Sequence, residues 1–438
     1  MVLYLSLMGV DFPESLLHFI WQFRLFDESK VKFIDGEAVK VVSPGMHHRD
    51  GGPDFRNARL QTKDALWVGN VEIHLRSSDW YRHHHQTDEA YDYVIAHVVY
   101  ENDAEVSNRS GVAVPCIELK DVIPPLLFER YRTLMSGMFD IPCSGIGRTD
   151  VLTLHNWLDR LVVERLESRS DQVRKMLEIC RFDWQETLHV FIFRAMGMQV
   201  NQLPFEMLAR NVSLGLLRQY AGSTFKLESI LLGCAGFLNA ESRDVYTEEL
   251  KSEFEFLRKK HRLKMMELSL WKFLRMRPMN FPTVRIAQLA SMYSNQTISP
   301  SELSKLKDVR ALRDFFSCRA SPYWDAHYRL GEASAYRPKT PGKQALENAL
   351  INAVIPLMFE YARHRGDSAL RERCLEWLYE MKPENNHVVR EWMRPGIEPD
   401  SAAASQALLQ LKRFYCDERR CLDCAVGHKL LKDTLRIN

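Results

Sequence analysis

The chain has 438 residues, with 59 lysines and arginines against 57 aspartates and glutamates, and its formal net charge is +2. This length and a hydrophobic content of 46% predict a folded protein of two or three domains, and they exclude disordered, collagen-like and disulfide-scaffold classes. The near-neutral total means that any binding of nucleic acid has to depend on a local basic patch.

The start of the chain and its cysteines indicate the compartment in which the protein is expected. The apolar start, Met1–Val10, lacks the basic region and the small-residue cleavage site of a signal peptide. No apolar run approaches the roughly 20 residues that cross a membrane, so we expect no membrane partner. Nine cysteines without a signal peptide favour a reducing compartment, and we expect a cytoplasmic protein.

The first 125 residues predict one helix followed by a sheet. Apolar residues recur at helical spacing over Pro13–Phe26. The later segments are rich in β-branched residues and are separated by turns that contain Gly, Pro and Asn. The predicted strands are Ala38–Val42, Ala58–Gln61, Leu66–Arg76, Tyr93–Tyr100 and Val112–Leu119. We therefore expect an α/β domain over residues 1–125.

The remainder of the chain is predicted to be helical. Residues 126–150 have the composition of a connector, and from residue 151 onward apolar residues recur at helical spacing almost without strands. Nothing repeats at a fixed period, which excludes a solenoid. We expect a large all-α domain over residues 151–438, so the whole chain belongs to the α+β class.

The residues best able to bind a metal or to transfer a proton lie on the third predicted strand and just after it. Five of the fifteen histidines fall between His74 and His97. Because side chains alternate along a strand, Glu72 and His74 share one face while Val71 and Ile73 share the other. A carboxylate beside an imidazole binds divalent metals or transfers protons. A solvated strand face is the alternative interpretation of this pair.

The order of the polar residues resembles a known superfamily. Pro53-Asp54, seventeen intervening residues and Glu72-Ile73-His74 resemble the core of PD-(D/E)XK nucleases. In that superfamily a helix precedes a sheet, an Asp opens one strand, and an acid-x-Lys triplet lies on the next. The resemblance covers the N-terminal part of the chain and implies a restriction-endonuclease-like α/β domain.

The resemblance also implies roles for individual residues. Asp54 and Glu72 would bind Mg²⁺ or Mn²⁺, with Glu14 on the first helix as a third acid, and the metal would polarise a phosphate and activate a water. His74 occupies the place of the Lys and would orient or deprotonate that water. The presence of His at the position of the Lys favours Mn²⁺ or an inactive site. Further candidates in the histidine-rich segment are His83, His85 and Asp88.

Several longer motifs are more distinctive than these few residues. They are Gly52-Pro53-Asp54-Phe55-x-Asn57-Ala58, Gly69-Asn70-Val71-Glu72-Ile73-His74, Ser78-Asp79-Trp80, His83-x-His85 and Tyr415-Cys416 with Cys421-x-x-Cys424. Together they resemble a family of uncharacterised bacterial proteins. That resemblance covers nearly the whole chain but implies no established activity.

Ordinary structural roles compete with these assignments. Asp54 in a Gly-Gly-Pro-Asp sequence is a typical turn former, and the run of three histidines is compatible with a polar loop. His97 lies within an apolar run and is typical of a hydrogen-bonded core histidine. Glu118-Leu119-Lys120 is a second acid-x-Lys triplet, and together with Asp103 it forms a rival site.

A basic segment in the helical part is the candidate contact for nucleic acid. Lys251–Arg285 carries ten lysines and arginines against three glutamates, an excess of seven positive charges. Such a segment neutralises phosphates, and a solvated helix face is the alternative. The candidate contacts are Lys259, Lys260 and Arg262. Thr283–Tyr293 followed by Ser299–Lys307 has the pattern of a helix–turn–helix. The expected partners are therefore DNA or RNA.

Three cysteines lie close together near the end of the chain, with the spacing Cys416-x4-Cys421-x2-Cys424. A structural zinc ion needs four ligands, and an iron–sulfur cluster uses four thiolates. The candidate fourth ligands are His428, which favours zinc, and Cys318 or Cys374, which favour an iron–sulfur cluster. Three unligated cysteines are the remaining alternative.

Taken together, these patterns predict a metal-dependent nuclease that hydrolyses phosphodiester bonds. Its metal ligands would be Asp54 and Glu72. Two alternatives remain open at this stage. One is a catalytically inactive nucleic-acid-binding or interaction protein with a nuclease-like fold, and the other is a different metal-dependent hydrolase formed around the histidines.

Overall fold

A computed structural model describes residues 12–48, 51–145, 150–239 and 244–433. The segment Met1–Val10 lies outside these ranges. An N-terminal sheet is followed by a mostly helical region, which confirms the predicted α+β class. The chain divides into two compact units, one formed by the residues up to 157 together with those from 411 onward, and the other by residues 158–410. Within the described ranges, no helix has both the length and the apolar composition needed to cross a membrane.

The first unit contains a mixed sheet of six strands. The strands are β1 (Lys40–Ser43), β2 (Met46–His47), β3 (Phe55–Gln61), β4 (Leu66–Arg76), β5 (Val94–Glu101) and β6 (Cys116–Glu118). The order is β1-β3-β4-β5-β6, with β2 also paired to β3. β3 is antiparallel to its neighbours β1, β2 and β4, whereas β5 is parallel to both β4 and β6. β4 is therefore the strand at which the antiparallel and parallel parts of the sheet meet.

The helices account for most of the chain. In order they are α1 (Glu14–Gln22), α2 (Asp79–Arg82), α3 (Pro125–Met135), α4 (Val151–Ile179), α5 (Trp184–Met196), α6 (Gln202–Asn211), α7 (Leu214–Gln219), α8 (Thr224–Cys234), α9 (Val245–His261), α10 (Pro282–Asn295), α11 (Pro300–Ser304), α12 (Val309–Phe316), α13 (Lys343–Ala349), α14 (Ile355–Arg365), α15 (Ser368–Glu380), α16 (His387–Met393), α17 (Ala402–Leu411) and α18 (Ala425–Lys432). A two-stranded ribbon, β7 (His327–Arg329) with β8 (Glu332–Ala333), completes the second unit.

The core of the first unit lies between α1 and β4. Leu16, Leu17 and Ile20 recur at helical spacing and are fully buried, and they belong to the same hydrophobic cluster as Val71 and Ile73 of β4. Complete burial of one such side chain contributes about 2 kcal/mol. Since Val71 and Ile73 point into this core, alternation places the intervening Glu72 and the next residue, His74, on the opposite face.

The end of the chain belongs to the first unit. Cys421 and Leu431 are part of the hydrophobic core that contains α1 and the sheet, and the Arg130 guanidinium donates a hydrogen bond to the Leu430 carbonyl at 2.7 Å. The sequence had placed this segment with the helical domain over residues 151–438. Hydrophobic periodicity indicates that a helix is amphipathic but does not show which distant core its apolar face meets.

The second unit is helical, and two predicted features are not formed. The helical spacing predicted from residue 151 onward continues past this point, but α9 ends at His261, where Arg262 adopts a left-handed conformation with φ of 54°. The predicted helix–turn–helix is absent from the described residues because α11 spans only five residues and α10 is buried along nearly its whole length. Neither helix presents a long exposed face to a DNA groove.

The buried His189 of α5 predicts a pH dependence for the second unit. Its Nε2 donates to the carbonyls of Ala209 and Val212, its Nδ1 accepts from the Tyr293 hydroxyl at 2.9 Å, and burial lowers its pKa to about 4. The unfolded chain, with an ordinary pKa of 6.5, takes up a proton first as the pH falls. Stability is therefore fully present above pH 6.5 and is lost toward pH 4, by about 3 kcal/mol.

Urea unfolding at pH 7 and at pH 4.5 measures this dependence. His189→Gln removes the titrating group, so its free energy of unfolding should change less between the two pH values than that of the wild type. Equal pH dependence in both proteins would show that His189 is not responsible.

Candidate metal centre

Asp54 and Glu72 are held against each other by the backbone. Asp54 lies directly before β3, and its N–H donates to Glu72 Oε2 at 3.0 Å. In return, the N–H of Ile73 on β4 donates to Asp54 Oδ2 at 2.9 Å. The antiparallel pairing of Phe55 with Val71 brings the two segments together. The two residues predicted as metal ligands thus lie side by side.

Helix α1 brings a third carboxylate and an imidazole to this place. Glu14 and His18 are one turn apart on α1, with His18 Nε2 3.9 Å from Glu14 Oε1 and 3.3 Å from Asp54 Oδ2. We call Glu14, His18 and Asp54 the acidic group. His18 was not among the predicted site residues. Its spacing of four residues from Glu14 is the signal that indicates it, since such residues share one helix face.

Three histidines form a second set of donors. The ring nitrogens of His74, His83 and His85 lie within 4.8 Å of one another, and we call these residues the imidazole group. His74 Nε2 and His83 Nδ1 are 3.0 Å apart. His85 is brought in by the turn that follows α2, and its ring stacks on Tyr91 with centroids 3.8 Å apart. The predicted candidates His83 and His85 therefore adjoin the predicted triplet on β4.

Glu72 connects the two groups. Its Oε2 accepts the hydrogen bond from Asp54, while its Oε1 lies 3.2 Å from His85 Nε2 and 3.6 Å from His74 Nε2. The side chain is only 5% exposed. His85 Nε2 is buried and makes no hydrogen bond within the described residues, as is expected of a nitrogen that binds a cation.

The carboxyl groups of the site resist ionisation. Burial, and next to it the neighbouring Asp54 carboxylate, raise the pKa of Glu72 to about 9. Burial likewise raises the pKa of Glu14 to about 7, with contributions from Asp54 and Glu72. Without a cation, the site therefore retains protons at neutral pH. A divalent cation would compensate the clustered negative charge and permit both groups to ionise.

The imidazoles are neutral and available as ligands. Burial lowers the pKa of His74 well below its usual range, and the adjacent imidazoles lower it further. Burial also lowers the pKa of His83 and His85. Neutral imidazole is the form that binds metals. His18 behaves differently, because the nearby Asp54 and Glu14 outweigh its burial and raise its pKa.

His74 is enclosed, which changes its expected role. It is 1% exposed, and while its Nε2 faces His83, its Nδ1 lies 2.8 Å from His97 Nε2. His97 is fully buried, and it is the partner that orients the His74 ring. The predicted role of His74 as the base that deprotonates a water is not supported by this position, whereas the role of a ligand is. The interpretation of His74 and Glu72 as a solvated strand face is wrong, since both are buried.

Other candidates near the sheet have structural roles. Asp88 is exposed, and its Oδ1 accepts from the N–H of Ala90, so it terminates a turn outside the two groups. In the rival triplet, Glu118 Oε1 accepts from the N–H of Asn102 at 2.8 Å. Asp103 accepts hydrogen bonds from the turn that follows β4. These carboxylates hold loops and do not converge on a common cation position.

The predicted nucleic-acid contacts lie at the end of α9 in the second unit. Lys259, Lys260 and Arg262 are all exposed. Positive charges at a helix C-terminus also stabilise the helix dipole, so their position has an ordinary structural explanation as well. Arg285, which contributed to the basic segment, is only 2% exposed and pairs with Gln288, and it is not part of any basic surface.

The terminal cysteines are buried in the first unit. Cys416, Cys421 and Cys424 are each 6–7% exposed. Two of the predicted fourth ligands, Cys318 and Cys374, belong to the second unit. The third, His428, directs its Nε2 to the carbonyl of Leu422.

Comparison with known proteins places the chain in a family. A family model described as "Protein of unknown function (DUF2851)" matches residues 14–387. No curated protein and no solved structure matches the chain. The matched segment begins at Glu14 and contains both the acidic group and the imidazole group. Because the match covers most of the 438 residues, the chain belongs to the DUF2851 family of proteins of unknown function.

Proposed function

We propose that this protein is a metal-dependent nuclease that hydrolyses phosphodiester bonds at the site formed by the acidic and imidazole groups. The observation that carries the proposal is the position of Glu72, which presents one carboxylate oxygen to Asp54 and the other to His74 and His85. A buried carboxylate, two part-exposed carboxylates and neutral imidazoles at these distances are the donor set of a divalent metal centre.

The donor set distinguishes between cations. Mg²⁺ prefers oxygen ligands, whereas Mn²⁺, Fe²⁺ and Zn²⁺ also bind imidazole nitrogen. Since His74, His83 and His85 adjoin Glu72, we expect Mn²⁺ to support activity better than Mg²⁺. A cation held there would polarise a phosphate oxygen and lower the pKa of a bound water.

The surrounding residues hold the donors in place. The Ile73 N–H orients Asp54 Oδ2, and His97 orients the His74 ring. Glu14 is the most open carboxylate of the site, with its side chain 35% exposed against 20% for Asp54. We therefore assign to Glu14 the contact with an incoming water, a role that the sequence had given to His74.

The order of elements also supports the proposal. α1 carries Glu14, Asp54 directly precedes β3, and Glu72 with His74 lies on the adjoining strand β4. This is the order of elements that the resemblance to PD-(D/E)XK nucleases implies. The exposed basic residues at the end of α9 would bind the phosphates of DNA or RNA. Nine unpaired cysteines are compatible with activity in the cytoplasm.

One observation favours a second function. His74 stands in the place of the Lys and is enclosed by His83 and His97, so it is not free to act on a water. A protein of this fold that binds nucleic acid without cleaving it would have the same geometry. The two functions differ in turnover, which an assay measures directly.

Cleavage of labelled single- and double-stranded DNA and RNA oligonucleotides by the full chain tests the proposal. We expect cleavage that requires Mn²⁺, that is weaker with Mg²⁺, and that falls at least about 100-fold in Asp54→Asn. Asp88→Asn makes the same chemical change outside the site and should leave the rate unchanged. Cleavage that persists in Asp54→Asn would contradict the proposal. Salt-sensitive binding without turnover would instead support the inactive binding protein.

A further inference from the structure

Four of the five cysteines of the first unit come together near α18. Cys416, Cys421 and Cys424 come from the terminal segment, and Cys143 comes from the short 3₁₀ turn Pro142–Gly145. That turn packs against α18, and α18 begins directly after Cys424. Cys143 is half-buried and packs against the hydrophobic cluster that contains Cys421. Two segments that are far apart in sequence therefore bring three buried cysteines and one half-buried cysteine into one region.

The four thiols influence one another's ionisation. Burial, and after it the Cys424 thiolate, raise the pKa of Cys143 to about 12. The pKa of Cys416 is raised well above its usual range, first by burial and then by each of the three other cysteines. These mutual effects arise only between groups that lie near one another, so they agree with the packing that brings the four cysteines together.

The terminal segment and the segment that contains Cys143 are also held together by hydrogen bonds. The Arg419 guanidinium donates two hydrogen bonds of 3.2 Å to the carbonyl of Phe139, shortly before Cys143. Gly427 lies so close to the Cys421 carbonyl that a Cβ at this position would be 2.2 Å from its oxygen. A larger residue than glycine would separate the start of α18 from the cysteines.

Hydrogen-bond donors surround the Cys424 sulfur at the start of α18, although burial still raises its pKa overall. The N–H groups of Val426 and Gly427 and the indole of Trp157 lie beside the Cys424 sulfur and counteract the effect of burial on its pKa. N–H groups directed at a sulfur are the typical surroundings of a metal-bound thiolate.

His428 is engaged elsewhere. Its Nε2 faces the Leu422 carbonyl, and its ring packs against Phe19 and Phe23 with centroids 4.9 and 5.3 Å away. Cys143 is the fourth thiol that the packing of the turn at Pro142–Gly145 against α18 brings near the terminal cysteines. We propose that Cys143, Cys416, Cys421 and Cys424 form a second metal site of the four-thiolate type, which fastens the end of the chain to the sheet unit.

The distances between the four sulfurs indicate which metal group the site would hold. Among the described residues, the donors that already lie within 4.8 Å of one another are those of the imidazole group. In the part of the chain that the structure describes, no three of the four sulfurs lie within 4.8 Å of one another, whereas around one zinc ion Zn–S bonds of about 2.3 Å place sulfurs about 3.8 Å apart. This spacing favours an iron–sulfur cluster, which is itself several ångströms across, over a single zinc ion.

Metal analysis of the full chain, purified without oxygen, tests the site. We expect about four iron and four sulfide per chain, or about one zinc, in addition to any metal at the imidazole group. Visible absorption distinguishes the iron–sulfur cluster from zinc. Cys143→Ser should lower this content at least about tenfold, because even the loss of a residue that only supports a ligand costs that much affinity.

Control variants separate this site from others. Cys116 is a half-buried thiol of the same unit whose Sγ donates to Asn102 Oδ1 at 3.5 Å, a bond that a serine can make, so Cys116→Ser should keep the full content. Should Cys143→Ser fail to fold, Cys143→His retains a ligand and is expected to keep zinc. Metal that is lost in His83→Ala but kept in Cys143→Ser belongs to the imidazole group.

Two results would overturn the proposal. One is a wild-type chain that contains neither iron with sulfide nor zinc after growth with both metals. The other is a folded Cys143→Ser variant with the wild-type content alongside a Cys421→Ser variant that has lost it. Neither result would affect the nuclease proposal, because no residue is shared between the two sites.

Discussion

Replacement of Glu72 by glutamine is expected to abolish metal binding at the acidic and imidazole groups and to lower phosphodiester cleavage at least about 100-fold. Glu72 is the only described carboxylate with one oxygen facing Asp54 and the other facing His85. Glutamine keeps the shape, and its carbonyl oxygen still accepts the Asp54 N–H. The change therefore removes charge while it leaves the hydrogen bond. Equilibrium dialysis with Mn²⁺ and the cleavage assay measure the two effects.

The same variant is expected to gain stability when no metal is present. The pKa of Glu72 in the folded chain is about 9, against an ordinary value of 4.5. A raised pKa means that the stability contributed by the protonated carboxyl is fully present below pH 4.5 and is lost as the pH rises toward 9. Glutamine does not ionise, so Glu72→Gln should exceed the wild type by at least about 1 kcal/mol at pH 8.

This gain in stability distinguishes the loss of a metal ligand from damage to the fold. Glu118→Gln is a matched control, because Glu118 also accepts a backbone N–H, that of Asn102, but lies outside the site. It should change neither metal binding nor cleavage. If Glu72→Gln loses stability at pH 8 together with its activity, its effect is structural and the assignment of Glu72 as a ligand is wrong.

Local features of the first unit were predictable because they depend on near neighbours in sequence. The bounds of β4, Leu66–Arg76, agree with the pattern of its residues. The alternation that separates Val71 and Ile73 from Glu72 and His74 follows from strand geometry alone. The helical spacing of Leu16, Leu17 and Ile20 likewise identified α1, although the structure ends this helix at Gln22.

The burial of the site was not predictable from the alternation of residues along β4. A strand with alternating polar residues normally has one solvated face. Here Glu72 and His74 are covered because the turn after α2 places His83 and His85 over them. The sequence of that turn is polar and resembles an exposed loop. Only the three-dimensional path of the chain reveals that its imidazoles face a buried carboxylate.

Contacts between segments that are distant in sequence could likewise not be predicted from sequence patterns. Cys143 lies in a segment assigned as a connector, and no spacing rule relates it to Cys416 or Cys421. The usual motifs for thiolate sites describe pairs that are close in sequence. A fourth ligand from another segment becomes apparent only when the packing of α18 against the turn at Pro142–Gly145 is known.

Metal binding at the first site is expected to strengthen steeply with pH between 7 and 9. A cation has to displace the protons that Glu14 and Glu72 retain, since their pKa values are about 7 and about 9. Affinity should rise roughly tenfold per pH unit for each proton released. The imidazoles of His74, His83 and His85 have lowered pKa values, so they are already neutral and contribute no dependence in this range.

Titration of the full chain with Mn²⁺ at pH 6.5, 7.5 and 8.5, in buffers of different ionisation enthalpy, measures both affinity and proton release. Glu14→Gln should reduce the slope below pH 7 from about two protons to about one and leave the slope between pH 7 and 9 unchanged, because Glu72 still has to ionise. An affinity that is constant above pH 6.5 would show that the carboxyls are ionised before the metal arrives. The site would then be an ordinary exposed acidic cluster, since the raised pKa of Glu72 follows from its burial between Asp54 and the imidazole group.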